Sequence, residues 1–110
     1  MQESAFAGAI LETWTYGQLV RRYTNHGTRP TITYYRNLDG EEVDFVLEEN
    51  GGVYPLEVKR SSTPRDEDLR WCRKIPVAPW AELKAPILLY TGTTLRPMPH
   101  GAVAFPISGL

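Results

Sequence analysis

The chain has 110 residues, 42% of them hydrophobic and 23% charged, with nine Gly, nine Pro and a net charge of −1 from 12 Lys/Arg against 13 Asp/Glu. That length excludes two full domains, and three Trp, six Tyr and three Phe exclude a disordered chain, since they can support a core that buries roughly two thirds of the unfolded surface. Near-neutral charge argues against a self-sufficient duplex-DNA binder, because neutralised phosphates supply most of the non-specific affinity of such proteins.

No apolar run approaches the ~20 residues that a membrane span needs. No N-terminal stretch has the basic, apolar, then small-residue order of a signal peptide. A single cysteine, Cys72, excludes an internal disulfide and a cysteine-based zinc site. The expectation is one soluble, cytoplasmic domain over 1–110 with no membrane contact. Charge is unevenly placed. Residues 39–49 hold Asp39, Glu41, Glu42, Asp44, Glu48 and Glu49 and no base, whereas Lys59, Arg60, Arg65, Arg70, Arg73 and Lys74 crowd the segment 59–74.

Residues 5–23 read as a helix. Ala7, Ile10, Leu11 and Trp14 recur at helical spacing, and Tyr16, Leu19, Val20 and Tyr23 continue on a neighbouring stripe. Ser4 is the candidate N-cap, and Asn25-His26-Gly27 a stop. Three strands follow: residues 31–36, 42–48 and 53–59, rich in β-branched and aromatic residues or alternating polar with apolar. Asp39-Gly40 and Asn50-Gly51-Gly52 are the turn signals, so the three strands form an antiparallel meander. Ser61-Ser62-Thr63-Pro64 ends the third strand. Residues 65–74 read as a short helix that buries Leu69, Trp71 and Cys72. Pro76, Pro79 and Pro86 oppose a long helix after it. Ile87-Leu88-Leu89-Tyr90 reads as a strand buried on both faces, residues 91–100 as loop, and residues 102–105 as a last strand.

Alternation assigns Val43, Phe45 and Leu47 to the face toward the helix, and Glu42, Asp44, Val46 and Glu48 to the other. On the third strand Tyr54, Leu56 and Val58 oppose Val53, Pro55, Glu57 and Lys59. A two-residue turn at Asn50-Gly51 pairs residues whose numbers sum to 101 and sets Asp44 opposite Glu57. A turn at Gly51-Gly52 sets Asp44 opposite Lys59. A three-residue loop breaks the alignment. Two opposed carboxylates repel. A hard divalent cation, Mg²⁺ or Mn²⁺, relieves that repulsion, and Lys59 beside them suits charge stabilisation at a phosphoryl oxygen. The plain alternative is a solvated face with a surface Glu57–Lys59 pair.

Asp44, then twelve residues, then Glu57-Val58-Lys59, on a meander after a helix, resembles the PD-(D/E)xK, or restriction-endonuclease-like, nuclease superfamily. Leu11-Glu12-Thr13-Trp14, Tyr34-Tyr35-Arg36, Glu42-Val43-Asp44-Phe45 and Leu56-Glu57-Val58-Lys59 are similar to one branch of it, the uncharacterised domain at the C-terminus of many prokaryotic AAA-type ATPases. The likeness lies mainly between residues 8 and 63. It implies an α/β fold of order α-β-β-β-α-β with a mixed four- to five-stranded sheet flanked by helices. It implies that Asp44 and Glu57 bind metal with the Val58 carbonyl, that Glu12 joins through a water, and that Lys59 is catalytic. It further implies nucleic acid as substrate and an ATPase domain or other protein as partner. The alternative is a catalytically inactive partner-binding or regulatory module. Gln18 departs from the branch, where an acid is common, and the segment after Pro76 matches poorly. No Gly-x-x-x-x-Gly-Lys-Ser/Thr occurs, so ATP hydrolysis is not expected of this chain, which reads as a C-terminal piece of a longer protein or a stand-alone relic.

Arg36, Arg60 and Arg65 are candidates for phosphate contact, with solvated or ion-paired arginines as the alternative. Arg70, Arg73 and Lys74 divide the same way, and the acids at 66–68 read as interleaved for solubility. His26 and His100 lie far apart in loops and make a poor metal pair. Ser61-Ser62-Thr63 fits an ordinary turn. Trp14, Tyr16, Trp71 and Trp80 read as core or interface. Cys72 has no neighbouring base and is not expected to be a nucleophile.

Overall fold

The computed structural model describes residues 11–21 and 31–110. The expected cap at Ser4, the positions Ala7, Ile10 and Tyr23, the stop at 25–27 and His26 lie outside the described residues. Helix α1 is described over 11–21. Then come β1 (Ile32–Arg36), β2 (Glu42–Glu49), β3 (Gly52–Lys59), a 3₁₀ turn (Asp66–Leu69), β4 (Glu82–Leu83), β5 (Ile87–Tyr90), β6 (Arg96–Pro97) and β7 (Val103–Pro106). Among the described residues no helix is long and apolar enough to cross a membrane.

The strands form one mixed sheet in the order β1-β2-β3-β5-β7-β6. β1, β2 and β3 make the expected antiparallel meander. β3, β5 and β7 then run parallel, and β6 returns antiparallel on β7. The domain is thus mixed α/β, but among the described residues the sheet has seven strands, not four or five. β4 pairs with the start of β3, and β6 occupies part of the expected loop 91–100. Two residues are too few to show alternation, and Pro97 argues against a strand except at an edge, where β6 lies.

The β2–β3 turn is the two-residue one. Asn50 and Gly51 both have positive φ, 50° and 80°, as a primed turn demands. The register therefore sums to 101, from Glu49 opposite Gly52 to Phe45 opposite Leu56. The β1–β2 connection is organised by Asn37, whose Oδ1 accepts the N–H groups of Asp39 and Glu41, each at 3.0 Å.

The strand faces need a correction. On the β1–β2 ladder Thr33 faces Val46, yet Tyr35 faces Val43, so Tyr34 alone spans Asp44 and Phe45. This is a β-bulge in β2, and alternation is suspended across it. Phe45 and Leu47 pack with Leu19 of α1, Leu56, Leu89 and Ile107. Val43, expected with them, instead joins Val46 and Val53 in the opposite core with Leu69, Cys72, Ile75, Leu88, Tyr90 and Ala104. The face opposite the helix, expected to gather the acids, is thus also a second core, covered by the segment after β3. Leu88, Leu89 and Tyr90 of β5 are at most 1% exposed, as a strand buried on both faces requires.

The second helix is also corrected. Residues 66–69 form a 3₁₀ turn, followed by irregular turns to Lys74. Asp68 fastens this turn: its backbone N–H donates to the Arg65 carbonyl at 3.0 Å, and its carboxylate accepts the Arg65 N–H at 3.1 Å. Pro64 and Pro76 bracket the segment, and buried Leu69 and Cys72 pin it to the sheet. Trp71 is only partly buried, and Trp80 is 84% exposed, which removes it from the core.

Candidate functional site

At the end of the β2–β3 ladder, main-chain pairing gives way to side-chain pairing. The last paired residues are Phe45 and Leu56. Beyond them Asp44 Oδ2 accepts the N–H of Val58 at 2.8 Å. Glu57 hydrogen-bonds the Asp44 side chain and also accepts its backbone N–H. From α1, Glu12 hydrogen-bonds Asp44 as well. The bulge places Asp44 where it meets the helix acid on one side and the β3 acid on the other.

Glu12, Asp44, Glu57, Val58 and Lys59 line one pocket of about 490 Å³, together with Glu67, Asp68, Arg70 and Trp71. All five residues expected to form a centre are therefore neighbours. The pocket lies at the carboxyl end of β3, where the sheet changes from antiparallel to parallel; open α/β sheets characteristically place binding crevices at such points.

Crowding governs the charge state. Burial, the hydrogen bond to Asp44 and the negative charges of Asp44 and Glu42 push the Glu12 carboxyl up from 4.5 to about 7. Burial, followed by the hydrogen bond and charge of Asp44, pushes Glu57 up to about 10. Two like charges this close cannot both persist without a counter-charge, so protons are retained. Glu12 and Glu57 each share a hydrogen bond with the Asp44 side chain, which sits between them. Burial also pushes the nearby Cys72 thiol up to about 12, with the Glu57 and Asp44 charges adding to the effect, which fits an inert thiol.

Lys59 lines the pocket, but its Nζ pairs with Asp68 Oδ1 at 3.5 Å. Asp68, with its side chain only 10% exposed, is the functional candidate that sequence reasoning missed. The sequence carried little signal for it: Asp68 caps the Arg65 N–H from the third position of the turn, but arginine is not a cap residue that marks such a start. Arg36 pairs with Glu42 at 2.8 Å and lines a second pocket, of about 300 Å³, with Tyr34, Tyr35, Glu12 and Asp44. Arg60 and Arg65 line neither pocket, and Arg65 pairs with Glu67 at 3.5 Å. His100 is exposed in the turn Pro99–Gly101.

Among the described residues no three His, Cys, Asp or Glu side chains are already spaced as a ligand set for a metal ion. The donor chemistry nevertheless fits a hard divalent cation: oxygen donors only, two of them holding protons that a cation can displace.

These features define a mixed α/β domain with a proton-sharing carboxylate pocket beside a lysine. The chain belongs to the family described as Domain of unknown function (DUF4143), whose family model matches residues 7–110. No curated protein and no solved structure matches it.

Proposed function

We propose that the domain is a metal-dependent nuclease-like module of the PD-(D/E)xK kind, with a restriction-endonuclease-like core, that hydrolyses nucleic-acid phosphodiester bonds in association with an AAA-type ATPase. One observation carries this reading: Glu12, Asp44, Glu57, Val58 and Lys59, from one helix and two strands, line a single pocket in which the carboxyls retain protons for want of another counter-charge. Mg²⁺ or Mn²⁺, when bound, supplies that charge and acidifies water for attack on phosphorus. Asp44 and Glu57, with the Val58 carbonyl, are the residues to hold it. Glu12, nearer the usual range, is suited to take up and release a proton at its carboxyl. Lys59 places an ammonium where negative charge builds on the phosphoryl oxygens. Asp68, accepting from Lys59, holds that ammonium at the pocket wall.

The test is an assay on linear and circular DNA with and without Mn²⁺. Asp44→Ala and Lys59→Ala are each expected to abolish metal-dependent cleavage; full activity in either purified variant removes this mechanism. The second reading, an inactive partner-binding or regulatory module, is favoured by one observation: Trp80, Leu95, Leu38 and Tyr34 stand largely in solvent. It expects no cleavage and no change in melting temperature with metal.

A further inference from the structure

We propose that the carboxylate pocket is the midpoint of a groove for an extended single strand of nucleic acid, held by Tyr34 and Arg36 on one side and by Trp71 and Arg70 on the other. This rests on the nuclease reading and specifies its substrate. The two pockets are continuous in their lining, because Glu12 and Asp44 border both. Each flank carries the same pair of groups, an aromatic ring and an arginine. On the β1 flank Tyr34 is 72% exposed, beside Arg36. On the other flank the Arg70 guanidinium lies 4.9 Å from the centre of the Trp71 ring, and the Lys74 ammonium 5.4 Å from it.

Charge decides between strand types. A duplex is held by neutralising many phosphates, which a chain of net charge −1 with six acids over 39–49 is poorly equipped to do. A single strand adds to its phosphate contacts the stacking of unpaired bases on aromatic rings, which a duplex keeps within its own stack, so fewer cations suffice to hold it. Rings on both sides of the carboxylates would hold the bases flanking the scissile phosphate. The cations over Trp71 would turn outward to phosphates as a base takes the ring face.

The test measures binding without turnover. Asp44→Asn keeps an acceptor for the Val58 N–H. In that background, in Mg²⁺, the affinity of the full chain for a short fluorescent single-stranded oligonucleotide is compared with its affinity for the matching duplex. The single strand is expected to bind at least about tenfold more tightly, and Tyr34→Ala and Trp71→Leu each to weaken it by about tenfold. Arg96→Ala, on exposed β6 and lining neither pocket, is expected to change nothing. Tyr34 is exposed, so its variant keeps the test valid should Trp71→Leu fail to fold. Duplex binding as tight as single-strand binding, no binding of either, or an unchanged affinity in Tyr34→Ala overturns the inference. Duplex cleavage by the unmutated chain in Mn²⁺ alongside such a result leaves the nuclease reading standing; single-strand binding with no cleavage in any metal does the reverse.

Discussion

Two trios of carboxylates, one wholly and one partly lining the same pocket, are neutralised in opposite ways. Asp66, Glu67 and Asp68 each have a cation: Arg73 at 2.8 Å, Arg65 at 3.5 Å and Lys59 at 3.5 Å. Glu12 and Glu57 each hydrogen-bond Asp44, and among the described residues no cation of the chain pairs with them; the crowding pushes both glutamate carboxyls up. The first trio is complete as folded and serves to seat the turn after β3. The second spends folding free energy on like charges, a cost that is usual where a site must receive something. The difference separates acids matched by cations of the chain from acids crowded together without one.

The largest effect expected from this contrast is metal linkage. Mn²⁺ at a hundred times its dissociation constant adds about 2.7 kcal/mol to stability. For a domain of this size each 1 kcal/mol appears as about 4–8 °C in melting temperature. Asp44→Ala and Glu57→Ala abolish the shift, while Asp66→Asn leaves it intact. A shift that survives both inner-trio variants breaks the comparison.

Next comes pH, in metal-free buffer. The folded-state values of Glu12 and Glu57 lie above 4.5, at about 7 and about 10, so the folded chain holds more protons than the unfolded one. Their contribution is complete below about 4.5 and is lost as pH rises through those two values. Urea unfolding at about pH 5 and about pH 8 checks the sign: stability falls toward pH 8, and Glu12→Gln flattens that fall.

Asp68→Asn is smaller. It removes the partner of Lys59 and costs about 1 kcal/mol by chemical denaturation, because Lys59 is half exposed and an amide oxygen still caps the Arg65 N–H. Smallest is Glu67→Ala, whose pair with Arg65 is more than 60% exposed on both sides; its unfolding midpoint moves by less than about 0.5 kcal/mol.

Much of this was legible in the residues. Asn50-Gly51-Gly52 marked a tight turn and allowed a register summing to 101 or 103; the fold takes the turn at Asn50-Gly51, and its sum-101 ladder ends one residue short of Asp44 and Glu57. The apolar run at 87–90 announced a doubly buried strand. The bulge opposite Tyr34 left no such mark, because a suspended alternation looks the same in sequence as an intact one. Val43 was therefore assigned to the wrong face. β4 and β6 were too short to show a period. The acids at 66–68 read as a solvated run, since only the fold shows that the carboxylate of Asp68 reaches Lys59.

Local chemistry alone, meaning turn residues, strand periods and the Asp44 to Glu57-Val58-Lys59 spacing, determined the meander and which acids share its end. The tertiary structure decided everything that depends on distant segments meeting: the parallel return of β5 and β7, the second core under the segment after β3, the arrival of Glu12 from the helix and the capture of Lys59 by Asp68. Periods and turns act over a few residues and are written in them. Charge state and pocket shape arise from groups far apart in the chain, and only packing sets the distances between them.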